Sequence, residues 1–165
     1  MIKFLMSRRI GNLIGFLVCA GMLAFGYYLQ FKVGLEPCPL CILQRLLLLA
    51  TGVVFLAAAV HRPVHWLGAG IYAGAISLCA MTGAAISARH VWIQHLPEDQ
   101  RPTCGPGLDY MFSTFGPLGA LGRVLRGSGE CGVVDWTLLS FSIPEWTLAA
   151  FVALAIWAVF IALRD

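Results

Sequence analysis

Four cysteines in two differently spaced pairs are the residues of this sequence best suited to chemistry. Cys38 and Cys41 form a Cys-Pro-Leu-Cys motif, and Cys104 and Cys131 follow further along the chain. A Cys-x-x-Cys bridge closes so short a loop that it removes little chain entropy, so a purely structural role explains it poorly. At the N-terminal end of a helix, unpaired amide groups and the helix dipole favour the thiolate form. The first pair is therefore predicted to be redox-active.

The pairing of these cysteines has three solutions. The sequence-local solution joins Cys38 to Cys41 and Cys104 to Cys131. Structural bridges are an alternative, mainly for the second pair, because a loop without a hydrophobic core gains most from a cross-link. Zinc is another, since four thiolates can form a structural site. The second pair lacks close ligand spacing and an even cysteine set fits an oxidising compartment, so we predict disulfides and no metal.

Two basic residues accompany the first pair. Arg45 follows Cys41 by four residues, which places both on one helix face, with Arg45 one turn further along the apolar stretch. Its side chain could extend to the lipid headgroups, or its charge could stabilise a leaving thiolate or a reduced acceptor. His90 could relay protons, because histidine titrates near neutral pH, or it could simply be solvated.

Four long apolar stretches must position these residues. The chain has 165 residues, of which 59% are hydrophobic and 12% charged, whereas a soluble domain has about 25% charged residues. Each stretch is long enough to cross a bilayer. The predicted fold is an all-α, four-helix transmembrane bundle forming one integral membrane domain, residues 1–165, with two outward-facing cysteine-bearing loops. The spans are residues 12–31, 42–60, 66–87 and 146–163, and the loops are residues 32–41 and 88–145.

The basic residues indicate the orientation of these spans. Lys3, Arg8 and Arg9 precede the first span, Arg62 lies in the short second connection, and Arg164 follows the last span. By the positive-inside rule these sites face the cytoplasm, so both termini are cytoplasmic and the cysteine loops lie outside. We expect a retained first span rather than a cleaved signal peptide, because three more spans follow. No basic run or nucleic-acid motif is present, so nucleic acid is not an expected partner.

The long loop contains one weak helical pattern. Leu118, Leu121, Val124 and Leu125 would share one face of a helix. The segment could be a short helix in the membrane interface or an irregular loop with scattered apolar residues.

The electrons must leave the thiols for some acceptor. The sequence lacks a Gly-rich dinucleotide fingerprint, and Ile42 occupies the position where covalent haem attachment needs a histidine. A lipid-soluble acceptor at the bilayer edge remains, most simply a quinone.

These features resemble the bacterial DsbB family of disulfide bond formation proteins. Four spans and several motifs carry the resemblance over nearly the whole chain. The motifs are Cys38-Pro39-Leu40-Cys41 followed by Gln44-Arg45, the loop cysteines Cys104 and Cys131, Trp136, and Ser142-Ile143-Pro144-Glu145-Trp146.

The resemblance implies a role for each site residue. Cys104 would form the mixed disulfide with a DsbA-like periplasmic thiol oxidase, and Cys131 would communicate with the first pair. Cys41 would be the thiolate that engages the quinone, with Cys38 as its exchange partner. Arg45 would lie near the quinone oxygen. By the same resemblance, His90 would also lie near the quinone.

The family implies a thiol:quinone oxidoreductase of the bacterial inner membrane, with its redox cysteines in the periplasm and an interfacial helix in the long loop. It would pass electrons from the thiol oxidase to ubiquinone or menaquinone and so support disulfide formation in exported proteins. The Gly-rich segment between Cys104 and Cys131 departs from the family, so partner contacts there do not carry over.

Two alternatives remain. A vitamin K epoxide reductase-like protein would use thiols to reduce a quinone or its epoxide, but its Cys-x-x-Cys would lie near the end of a late span, whereas Cys38 and Cys41 open the second. A non-catalytic membrane protein would use its disulfides to brace an assembly surface.

Overall fold

Five α-helices form the fold in the computed structural model, which describes residues 7–102, 108–134 and 136–164. The helices are α1 (Arg8–Tyr28), α2 (Pro39–His61), α3 (Trp66–Gln94), α4 (Leu108–Arg126) and α5 (Ile143–Leu163). A π-helical turn, Leu29–Val33, extends α1, and 3-10 turns occur at Glu98–Gln100 and Gly129–Gly132. Two short antiparallel strands, β1 (Thr137–Leu138) and β2 (Phe141–Ser142), precede α5.

Four of these helices are long and apolar enough to cross a membrane: α1 with its extension, α2, α3 and α5. This confirms the predicted all-α membrane bundle; the two-residue strands are a local addition. The helices extend beyond the apolar stretches of the sequence. The 29 residues of α3 span about 43 Å at 1.5 Å per residue, more than the roughly 30 Å of a hydrocarbon core.

Residues at the helix ends define the cysteine end of the bundle. Cys38 is the N-cap of α2, where its sulfur accepts a hydrogen bond from the backbone N–H of Cys41 at 3.4 Å, and Pro39 occupies the first helical position. Ser142 and Glu145 form a capping box at the start of α5, in which the backbone N–H of Ser142 donates to Glu145 at 2.6 Å. Both starts are therefore fixed by local hydrogen bonds.

The core lies where α2, α3 and α5 meet. Phe55, Ile76 and Phe151 are buried in it, each with 0–1% of its surface exposed. Gly83 makes this packing possible, because a Cβ there would lie 2.4 Å from the ring of Phe151. A small residue at such a point lets two membrane helices approach closely.

The opposite end is joined by Arg8. Its Nε donates to the backbone carbonyl of Arg164 at 2.9 Å, and its Nη1 donates to the carbonyl of Val64 at 3.3 Å. The start of α1, the α2–α3 turn and the end of α5 therefore lie together, away from Cys38.

The weak pattern in the long loop belongs to a helix. α4 contains a kink at Gly116, where φ is +67°, followed by Pro117. In its second half Val124 is buried, whereas Leu121 and Leu125 are exposed. The side chain of Leu118 lies outside the described part of the chain. The helical alternative is therefore confirmed, and its buried face turns towards α2.

Candidate active site

Two cysteine side chains meet at the N-terminus of α2. The sulfurs of Cys38 and Cys41 lie 3.2 Å apart. Cys38 is buried, and Cys41 is partly exposed. The N-cap position of Cys38 and the helical turn that follows bring the two sulfurs together, as the motif predicts.

His90 joins this pair from α3. Its Nε2 lies 3.8 Å from the sulfur of Cys38, and its Nδ1 lies 4.0 Å from the sulfur of Cys41. The Nε2 also lies 3.1 Å from the backbone carbonyl of Cys131. A carbonyl only accepts hydrogen bonds, so Nε2 carries the hydrogen and Nδ1 accepts from the amide of Gln44, 3.2 Å away.

Cys131 reaches the same place from the long loop. It lies in the Gly129–Gly132 turn and is fully buried. Its sulfur, that of Cys38 and a ring nitrogen of His90 all lie within 4.8 Å of one another. The hydrogen bond with Cys38 and burial raise the pKa of the Cys131 thiol above its ordinary value. Cys38, Cys41, His90 and Cys131 are called the sulfur–imidazole cluster below.

Gly127 lets the loop approach the helices. Its φ is +87°, and a Cβ there would lie 2.4 Å from the side chain of Ile93 on α3. Arg89 on α3 holds the end of α4, just before Gly127, because its guanidinium donates to the carbonyls of Leu125 and Arg126 at 3.4 and 3.2 Å. Cys131 is thus placed by contacts on both sides of the turn at Gly127.

Arg45 lies one turn beyond Cys41, and α1 orients its guanidinium. The side chain donates to the amide oxygen of Gln30 and, at 3.0 Å, to the carbonyl of Gly26. The ring of Tyr27 lies 5.2 Å from the guanidinium carbon, a cation–π contact. Gln30 belongs to the π-helical turn of α1. The charge is therefore held in place rather than extended freely towards lipid.

A cavity of about 370 Å³ opens beside the cluster. Cys38, Cys41 and His90 lie on its wall, together with Gln44 and Arg45. Most of the remaining wall is apolar. It includes Met22, Leu23, Phe25, Leu48, Trp136 and Ala150. The cavity combines an apolar interior with a few polar groups at one side, as small-molecule sites commonly do.

The structure brings Cys38, Cys41, Cys131 and His90 together, with Arg45 on the same cavity, whereas Cys104 lies outside the described residues. The proposed disulfides remain predictions, because the Cys38 and Cys41 sulfurs are in hydrogen-bond contact rather than bonded.

Two residues that help to build the site have no role predicted from the sequence. Gln44 touches His90, and Arg89 holds the loop helix. A polar residue three positions after Cys41 in an apolar stretch was the available signal for Gln44. No comparable sequence signal marks Arg89.

A family model described as "Disulfide bond formation protein DsbB" matches residues 8–161. The chain belongs to the DsbB family. A Disulfide bond formation protein B of Methylococcus capsulatus is 53% identical over 149 residues, which cover 90% of each chain. That of Chromohalobacter salexigens is 49% identical, covering 90% of this chain and 87% of the relative. That of Xanthomonas axonopodis pv. citri is 45% identical, covering 95% and 91% respectively.

The family assignment and the four long apolar helices agree. This DsbB-family chain is a multi-pass membrane protein with a role in disulfide bond formation. Disulfide formation requires a partner thiol protein and removal of its electrons. The sulfur–imidazole cluster is the described part of the molecule whose chemistry fits that requirement.

Proposed function

We propose that the protein is a protein-disulfide:quinone oxidoreductase that reoxidises a DsbA-like periplasmic thiol oxidase. One observation carries the proposal: the sulfur–imidazole cluster includes the loop cysteine Cys131, and its other members, Cys38, Cys41 and His90, lie on the wall of the apolar cavity. Thiols delivered by a loop and a lipid-soluble acceptor held among helices would then meet at one site.

The residues of the cavity fit a quinone. Its volume of about 370 Å³ falls within the roughly 300–1,000 Å³ of small-molecule sites. Apolar side chains would contact the ring and tail, while Gln44, Arg45 and His90 offer polar groups at the cysteine side. A bound quinone would supply an acceptor for two electrons and two protons.

Thiol–disulfide exchange would carry the electrons to that side. In the proposed sequence, a thiolate of the partner attacks Cys104 of a Cys104–Cys131 disulfide, and the second partner thiol resolves the mixed disulfide. The partner is oxidised and the loop pair is reduced. The Cys131 thiolate would then attack Cys38 of the Cys38–Cys41 disulfide and release the sulfur of Cys41. Attack of the Cys104 thiolate on Cys131 would restore the loop disulfide and leave Cys38 and Cys41 reduced, with two electrons and two protons available to the quinone. The proximity of Cys131 to Cys38 supports this order.

Charge and proton handling would fall to the two basic residues. His90 keeps its Nε2–H on the Cys131 carbonyl, and its Nδ1 would hold a proton beside Cys41 when the carboxamide of Gln44 turns its oxygen towards that nitrogen. Arg45 offers a fixed positive charge along the cavity, and such preorganised charge stabilises a developing anion in low dielectric. Both residues would act without large rearrangement.

We also propose that the cluster faces the periplasm and the termini face the cytoplasm. Arg8, the α2–α3 turn and Arg164 lie at one end of the bundle, opposite Cys38. Arg62 lies in that turn. The clustered basic residues are expected on the cytoplasmic side.

Replacing Cys41 tests the proposed reaction. Purified Cys41→Ser protein, mixed anaerobically with reduced partner and quinone, is expected to lose quinone-dependent oxidation of the partner. Cys79→Ser is the matched control, since Cys79 lies within α3 away from the cluster, and it is expected to retain turnover. Unchanged turnover in Cys41→Ser would overturn the enzyme proposal and leave a disulfide-braced membrane protein.

A further inference from the structure

We propose that the reduced cluster is also a zinc-binding site, in which Cys38, His90 and Cys131 are the ligands. The ligand atoms of these three residues lie within 4.8 Å of one another. The site does not depend on quinone chemistry. Only its expected effect, a block of turnover, rests on the proposed function.

The geometry suits the coordination distances of zinc. An ion at the centre of three atoms no more than 4.8 Å apart lies within about 2.8 Å of each, and small side-chain shifts reach Zn–S bonds of about 2.3 Å and Zn–N bonds of about 2.0–2.1 Å. The measured separation of 3.8 Å between the Cys38 sulfur and the Nε2 of His90 is compatible with two ligands of one tetrahedral ion.

Burial and charge also suit the ion. All three residues are buried, with Cys131 at 0% exposure. Two thiolates and a neutral imidazole balance the double positive charge of Zn²⁺, so the buried site carries no net charge. Binding replaces one proton on each thiol by the metal and releases both protons, with no change of oxidation state. The cavity provides access, because Cys38 and His90 lie on its wall.

Gln44 would orient the metal-bound imidazole of His90 by a hydrogen bond. Coordination through the Nε2 of His90 moves the ring hydrogen to Nδ1, which then donates to Gln44. The carboxamide of Gln44 lies 3.2 Å from Nδ1 and can present its oxygen after turning over. Metal-bound histidines commonly donate their second ring hydrogen to such a group.

The site exists only in the reduced protein. A Cys38–Cys41 disulfide removes the thiolate of Cys38, and a bridge from Cys131 to any other cysteine removes that of Cys131. In the sequence, the wide spacing of Cys104 and Cys131 and the even cysteine set argue against zinc. The fold offers a different ligand set: it places the Gly129–Gly132 turn against the start of α2, so that Cys131 meets Cys38 although the two lie 93 positions apart.

Cobalt titration of the purified full-length protein in detergent tests the site. Co²⁺ added to the reduced protein is expected to give a thiolate-to-cobalt charge-transfer band at one ion per chain, and Zn²⁺ is expected to displace it. Protein oxidised with diamide should give no band. Cys131→Ala and His90→Ala should abolish tight binding, whereas the control Cys79→Ala, outside the cluster, should bind as the unmodified protein does. Gln44→Ala should weaken binding about 10–100-fold.

A second measurement uses the unmodified sequence, so that a misfolded variant cannot decide the outcome. Zn²⁺ is expected to protect Cys38 and Cys131 of the reduced protein from maleimide, as read by mass spectrometry, and a chelator should remove the protection. Absence of the cobalt band, or equal affinity in Cys131→Ala, would overturn the proposal. Neither readout involves quinone or partner, so loss of the proposed enzyme activity would leave this test intact.

Discussion

The imidazole of His90 donates a hydrogen bond from Nε2 to the backbone carbonyl of Cys131 at 3.1 Å, across 41 residues of sequence. This bond joins a transmembrane helix to the loop that carries a cysteine. The other ring nitrogen of His90, Nδ1, contacts Gln44 on α2. One side chain therefore connects the loop, α2 and α3 at the cluster.

Removing this connection should slow sulfur exchange. His90→Phe keeps an aromatic ring, slightly larger than imidazole, but leaves the buried Cys131 carbonyl and the Gln44 amide without their partner, at a cost of about 1–3 kcal/mol for a buried group. The expected result is slower transfer between Cys131 and Cys38, measured by acid-quenched trapping of disulfide intermediates. His61→Phe is the control, since His61 contacts Tyr72 at the other end of α2. Equal rates in both variants would contradict the role of His90.

Arg45→Met should impair the use of quinone more than exchange with the thiol partner. The variant removes the charge held by Gln30 and the carbonyl of Gly26, while it keeps an unbranched side chain in the cavity wall. Loss of one preorganised electrostatic group costs about 10²–10³-fold in kcat in other enzymes. Quinone bleaching and single-turnover thiol exchange are measured separately. An equal loss in the two assays would indicate a folding defect instead.

Gly127→Ala should displace the Cys131 turn. Alanine is strained at a φ of +87°, and its Cβ would meet Ile93 at 2.4 Å, so we expect a loss of about 1 kcal/mol or more in stability and slower exchange with Cys38. Gly122→Ala is the matched control in α4, because a Cβ there meets nothing within 4 Å. Thermal unfolding and disulfide trapping report the two effects. A Gly127→Ala variant with unchanged stability and an unchanged rate of exchange with Cys38 would show that the turn does not require a positive φ at this position.

The thiol of Cys131 should react slowly at mildly alkaline pH. Its raised pKa in the folded protein keeps the proton in place where an unfolded cysteine, with a pKa of about 8.5, already ionises. Any stability that this difference contributes is complete below about pH 8.5 and is lost as pH rises towards the folded pKa. Iodoacetamide labelling between pH 7 and 10, with detergent-unfolded protein for comparison, measures the shift. Coincident labelling profiles for the folded and the unfolded protein would contradict the raised pKa of Cys131.

Single introduced cysteines should report the orientation. Val64→Cys lies at the end that holds the termini, and Leu139→Cys lies in the turn between β1 and β2 at the cluster end; both positions are exposed. A membrane-impermeant maleimide applied to intact spheroplasts is expected to label Leu139→Cys and to spare Val64→Cys. Labelling after lysis confirms that both thiols react. The reverse pattern would overturn the proposed topology.

The sequence was sufficient for features that depend on local spacing. Four apolar stretches predict the bundle, because a bilayer requires about 20 residues per span. The four-residue interval from Cys41 to Arg45 places both on the same cavity wall. The pattern at Leu121, Val124 and Leu125 proved to be helical, although sequence alone left an irregular loop equally open.

Features that depend on long-range contact were beyond the sequence. The bond from His90 to the Cys131 carbonyl involves a backbone atom, which carries no residue signature. The contacts of Arg45 with Gly26 and Gln30 depend on the packing of α1 against α2. The helices also continue beyond their apolar stretches, because capping residues and loop packing determine where each helix ends.

The apolar core of Phe55, Ile76 and Phe151 bears on the path that protons can take through the bundle. These side chains carry no titratable atom and are almost completely buried. Protons taken up or released beside Cys41 would therefore exchange with the cluster end and meet a hydrocarbon barrier in the opposite direction. Turnover of the proposed kind would then leave the transmembrane proton gradient without a leak through the bundle.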